Sequence, residues 1–171
     1  SFRIETPREL TADFAESLPF ALTNAQKKSL NDILTDLKKD RPMARLLEGD
    51  VGSGKTVVAA ASALSAVKAG YQASLMAPTE ILALQHFEEL MRRLGPFRVQ
   101  IGLLTSSESR KFPSKVNPKN ATKVSKSQLL KWVASGEIKV LVGTHSLIEN
   151  RVKFKNLGFV IIDEQHRFGT E

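Results

Sequence analysis

Two short stretches hold the residue types that phosphate chemistry needs. Gly49-Asp50-Val51-Gly52-Ser53-Gly54-Lys55-Thr56 fits the spacing G-x-x-x-x-G-K-[ST]. Its glycines let the backbone curl so that several N–H groups point at one anion. A helix beginning behind the loop adds the partial positive charge of its first turn. Lys55 is then placed to reach β- and γ-phosphates, and Thr56 to offer its hydroxyl to Mg2+. The second stretch is Asp163-Glu164, which follows the apolar run 159–162. Asp163 is expected to hold Mg2+ through water, and Glu164 to orient or deprotonate an attacking water. A glycine-rich turn with a surface lysine is ordinary by itself, and so are acids at a strand end. Roughly a hundred residues apart in one chain, the two imply ATP or GTP with Mg2+ and phosphoryl transfer to water.

Such residues must be held at strand ends, and the pattern supplies strands. Apolar runs at 43–48, 72–76, 99–104, 138–142 and 159–162 read as strands. Helices are expected between them. One covers the Ala-rich segment 57–68 and stops at Gly70; one is capped by Thr79 and runs to Leu94, ended by Gly95-Pro96. A short one opens on Ser125-x-x-Gln128 and stops at Gly136. Two further capping boxes, Thr6-Pro7-Arg8-Glu9 and Thr23-x-x-Gln26, predict helices near the start. The alternation implies an α/β fold with a mostly parallel sheet flanked by helices. The acids would lie at the carboxyl end of a buried strand, where ligands of open α/β sheets gather.

Composition sets the frame. The 171 residues are 42% hydrophobic and 25% charged, enough for one domain with a core. No apolar run is long enough to span a membrane, and no signal segment opens the chain. There is no cysteine, so disulfides and Cys-ligated metals are excluded and a reducing cytoplasm is the default compartment. The net charge is +7 and unevenly placed. Six Lys/Arg against one acid fall in 105–127. The segment 111–122 reads as loop from its Lys, Pro and Asn content. Its charge is either a solvated lysine-rich surface or a patch that contacts phosphates.

Longer strings carry a resemblance. Asp163-Glu164-Gln165-His166 resembles the DEAH-type box of superfamily 2 helicases, and Gly49 to Thr56 fits the first motif of that group. Met76-Ala77-Pro78-Thr79-Glu80-Ile81-Leu82-Ala83 is similar to its motif Ia, and Gly143-Thr144-His145-Ser146-Leu147-Ile148 to its motif Ib. With Leu18-Pro19-Phe20-x-Leu22-Thr23-x-x-Gln26 and Arg41-Pro42-Met43, the strings resemble the bacterial helicases that remodel branched DNA in repair and recombination. The sister family is the transcription-repair coupling factor. It typically has Phe at the place of Ser53 and Glu at the places of Val57 and Gln165, so these three positions favour the first group.

The resemblance implies a P-loop NTPase lobe of RecA-like fold that uses ATP and Mg2+. Residues 1–18 would form a linker helix and 19–171 the lobe. Gln26 would read the adenine edge, although it also completes a capping box, and Phe20 would pack on the base. Pro78, Thr79, Thr144 and His145 match motifs that touch the DNA backbone, contacts that hold a strand without reading its sequence. Thr79 as a helix cap and His145 as a loop residue are the local alternatives. His166 would couple the ATP site to the DNA side, or be a hydrogen-bonded core histidine. Partners implied are DNA, a second RecA-like lobe that supplies arginines, and an N-terminal wedge domain. A chain opening on Ser1 reads as part of a longer one. The resemblance further implies a strand after the Asp-Glu pair, seated between the phosphate-loop strand and the Asp-Glu strand. Its place is expected to be vacant here, and the 171 residues alone to lack hydrolysis.

Overall fold

The computed structural model describes residue 24, residues 43–48 and residues 55–164; for 43–48, 55 and 164 it describes the backbone. The expected boundary near Leu18 and both expected N-terminal helices lie outside that range, except for Asn24 of the second, which is helical.

The elements run β1 (Met43–Glu48), α1 (Lys55–Lys68), β2 (Gln72–Met76), α2 (Glu80–Leu94), β3 (Ile101–Leu104), β4 (Ser109–Phe112), β5 (Thr122–Lys123), α3 (Lys126–Ser135), β6 (Val140–Gly143), α4 (Ser146–Glu149) and β7 (Leu157–Glu164). Seven strands form one sheet in the order β1-β7-β2-β6-β3-β4-β5. The first five in that order pair in parallel; β4 and β5 add antiparallel. All four residues of β3 and of β6 are buried, as parallel strands covered on both faces should be.

Alternation along the strands feeds two cores. Val140 and Val142 face one cluster with α1 and α2; Leu141 faces the other with Leu129 and Val133 of α3. α1 is buried almost all round from Val57 to Leu64, which its small alanines permit at close range. α2 is two-faced, with Ala83, His86, Phe87, Leu90 and Leu94 inward. Each fully buried Leu or Phe on that face contributes about 1.5–3 kcal/mol.

Local chemistry sets the helix ends. The side chains of Thr79 and Ser125 accept hydrogen bonds from the backbone N–H groups of Leu82 and Gln128. Gly136, at φ 83, closes α3 in the left-handed region that suits glycine. α2 ends at Leu94 and passes into one 3-10 turn, Gly95–Phe97.

Two expectations need correction. The segment 111–122 is not simply loop: β4 reaches Phe112 and β5 begins at Thr122. β3 offers an open edge, and pairing along it buries Phe112 in the core. Hydrophilic composition gave no hint of that edge. The connection after β6 holds one helical turn, α4. The vacancy between the phosphate-loop strand and the Asp-Glu strand is not there either. β1 pairs β7 directly, from Met43↔Phe159 to Glu48↔Glu164. Backbone groups that would otherwise lack partners bond to each other.

Candidate functional site

Because β1, β7, β2, β6 and β3 are parallel, their carboxyl ends share one edge of the sheet. Register places the residues along that edge. Leu47 is level with Asp163, Met76 with Ile162 and Gly143, and Leu104 with Gly143. Asp163-Glu164 therefore lies between the end of β1 and the end of β2. The loops holding Pro78-Thr79 and Thr144-His145 are neighbours on the far side of β2, where Ala77 N–H donates to Gly143 C=O over 2.8 Å.

On the first side, three elements converge. Lys55 is the first residue of α1, which follows β1. Thr56 Oγ1 lies 3.1 Å from His86 Nδ1, and His86 Nε2 lies 2.6 Å from Asp163 Oδ2. His86 and Asp163 are each 3% exposed. One imidazole from α2 thus joins the last residue of the phosphate-loop motif to the first acid of the second motif. Thr56 and Asp163 are oxygen donors of the kind a hard cation takes. Among the described residues no cluster of three or more His, Cys, Asp and Glu could hold a metal. A cation such as Mg2+ commonly takes one or two carboxylates and completes its shell with phosphates and water.

On the second side the hydroxyls serve the backbone. Exposed Thr79 caps α2, its Oγ1 3.2 Å from Leu82 N. Thr144 is buried; its hydroxyl is 2.8 Å from Ser146 Oγ and accepts from Ser146 N–H at 3.3 Å. Pro78 is half-buried and His145 exposed. Glu80 ties this side to the turn after β3. It accepts from Ser106 Oγ at 2.8 Å, Ser107 Oγ at 2.9 Å and Ser107 N at 3.1 Å. The Ser106 and Ser107 hydroxyls hold its carboxyl below the usual carboxylate range.

The basic stretch divides as well. Lys111 is buried, with Nζ 5.0 Å from the centre of the Trp132 ring, and Arg110 pairs with Glu108. Lys115, Lys119, Lys123 and Lys126 are exposed.

Phe20, Gln26, Gly49, Asp50, Val51, Gly52, Ser53, Gly54 and His166 lie outside the described residues. His86 was absent from the sequence-based site. Its signal was available: a titratable residue on the apolar face of α2, three after Ala83 and four before Leu90.

The family model described as DEAD/DEAH box helicase matches residues 23–171. An Aquifex aeolicus protein named ATP-dependent DNA helicase RecG is 51% identical over 155 residues, covering 91% of this chain and 18% of the relative. A Streptococcus pneumoniae protein of the same name is 53% identical over 154 residues, covering 90% of the chain and 21% of the relative. A solved structure described as RecG bound to a three-way DNA junction matches with a TM-score of 0.74 and 40% identity, over 98% of this chain and 21% of that one. The chain spans about a fifth of the length of these relatives. With nearly its whole length inside the family model, the chain belongs to the DEAD/DEAH box helicase family.

Proposed function

We propose that this chain is the ATP-binding motor lobe of a RecG-type DNA helicase, which couples ATP hydrolysis to unwinding and remodelling of branched DNA. The observation that carries the reading is the junction of the two chemical motifs through one buried side chain, Thr56–His86–Asp163. Motifs that met by accident of sequence would have no reason to share a hydrogen-bonded centre. The Aquifex and Streptococcus relatives carry the name RecG, which favours this branch over the transcription-repair coupling factor.

In this reading the backbone of Gly49 to Gly54 cradles the phosphates, with Asp50, Val51, Gly52 and Ser53 lining the curl. Lys55 draws charge from the β- and γ-phosphates. Thr56 and Asp163 hold Mg2+, which when bound neutralises charge developing on the transferred phosphoryl group. Glu164, one residue beyond Asp163, orients the attacking water and takes its proton. Gln26 and Phe20 select the adenine base, and His166 links the site to the DNA side. Pro78, Thr79, Thr144 and His145 border the path of the DNA backbone. Thr79 and Thr144 shape that border through caps and turns, which leaves exposed His145 and loop N–H groups for phosphates. The second RecA-like lobe would add arginines, the wedge domain would engage the branch, and the bacterial cytoplasm is the compartment.

The test is Glu164→Gln in the full-length protein, read as ATP binding and DNA-stimulated hydrolysis side by side. Retained ATP affinity with hydrolysis lowered on the order of 10²-fold or more is expected for loss of a general base. Normal turnover would rule the assignment out.

A further inference from the structure

We propose that His86 is a positioning residue for the divalent cation: it holds the Thr56 hydroxyl and the Asp163 carboxylate in the orientation that turns oxygen lone pairs of both toward one ion. This rests on the nucleotide-site reading above and deepens it.

Hydrogen-bond polarity decides the arrangement. An ionised carboxylate only accepts, so the 2.6 Å contact puts a ring hydrogen on Nε2, donated to Asp163 Oδ2. In the neutral ring with its hydrogen on Nε2, Nδ1 keeps its lone pair and accepts the Thr56 hydroxyl hydrogen across 3.1 Å. A hydroxyl that ligates a cation must aim its lone pairs at the ion and its hydrogen elsewhere. Nδ1 is the acceptor that takes the hydrogen away. The bond to Oδ2 fixes the rotation of the carboxylate in the same stroke. Metal ligands are commonly oriented in this way by a hydrogen-bonded neighbour.

Placement supports the same role. His86 is 3% exposed and lies on the inner face of α2, the helix that Thr79 caps two turns earlier. An apolar side chain could fill the space, but it would remove one hydrogen bond from the Thr56 hydroxyl and one from a buried carboxylate. A polar ring at an apolar helix position is costly unless both nitrogens are used, and here both are.

The experiment uses the full-length protein and a fluorescent ADP analogue. Affinity is measured in EDTA and across a Mg2+ series for wild type, His86→Ala and His86→Asn. ATP hydrolysis is followed over the same series. Metal-free nucleotide affinity should survive in the variants. The Mg2+ concentration giving half of the metal-dependent tightening should rise about 10-fold or more. The Mg2+ requirement for hydrolysis should rise with it, while kcat recovers toward wild type at saturating Mg2+. An unchanged Mg2+ dependence overturns the proposal. Loss of metal-free affinity in both variants also overturns it, in favour of a packing role. A wild-type protein that binds no nucleotide would instead sink the site reading, and this role with it.

Discussion

The two halves of the sheet's carboxyl edge use similar residues in opposite ways. On the β1–β7 side, a half-buried threonine meets a buried histidine, which meets a buried aspartate. On the β2–β6 side, threonines turn back on their own backbone, and the histidine faces outward. Buried polar groups that face each other fix distances to a fraction of an ångström, as metal and phosphoryl chemistry demands. Polar groups that cap turns fix the shape of a loop and leave its outer surface for a long polymer. One helix, α2, contributes to both: Thr79 at its first turn and His86 two turns on.

The contrast can be strained first at the β2–β6 side through Gly143. A Cβ there would lie 2.4 Å from the Leu104 carbonyl oxygen and 2.7 Å from Leu147 Cδ2. The nearest obstacle is backbone, which cannot swing aside. Gly143→Ala should cost about 1–3 kcal/mol, seen as a lowered urea or thermal midpoint. It should also disturb the Thr144-His145 loop more than the Asp163 side. A variant as stable as wild type would mean the sheet is looser here than these distances imply.

Thr79→Ala is milder. Loss of the cap on α2 should cost about 0.5–2 kcal/mol, measured in the same melts, and Thr79→Ser should recover most of it. Equal losses in both variants would place the value of Thr79 in its methyl group instead.

The smallest effects are expected in the basic stretch, and they sharpen the same contrast between buried and outward-facing charge. Exchanging Lys115, Lys119 and Lys123 for Ala should reduce the salt dependence of DNA binding, by a slope of about 0.9 for each phosphate no longer neutralised. Lys111→Met should leave that slope unchanged, since Lys111 is buried against Trp132. Its cost would be one cation–π interaction, on the order of 0.5–2 kcal/mol. A slope that responds to Lys111 alone would reverse the assignment.

What could be read from the chain was local. The caps at Thr79 and Ser125 and the stop at Gly136 depend on neighbours within a few residues, and each stands where the pattern put it. The strands β1 and β2 were equally visible, because each falls on a short apolar-rich stretch of the chain. The misses depended on distant partners. β4 exists because β3 has an open edge, and Lys111 is buried because Trp132 lies beneath it. His86 acquires its meaning from residues 30 and 77 positions away. The β1–β7 pairing is likewise a contest between edges, and nothing in either strand's own residues announces it. Of the site, the phosphate-loop spacing and the acid pair were legible as motifs, and His86 stood out as a titratable residue on an apolar face, but the bonds by which it joins them were not legible.

The division of the edge is tested most directly by one paired measurement on the full-length protein. ATP hydrolysis and DNA affinity are determined for Asp163→Asn and for His145→Ala. Asp163→Asn is predicted to lose hydrolysis, on the order of 10²-fold or more, with DNA affinity kept. His145→Ala is predicted to weaken DNA binding with ATP affinity kept. Equal loss of both properties in both variants, or the reverse pattern, would contradict the division.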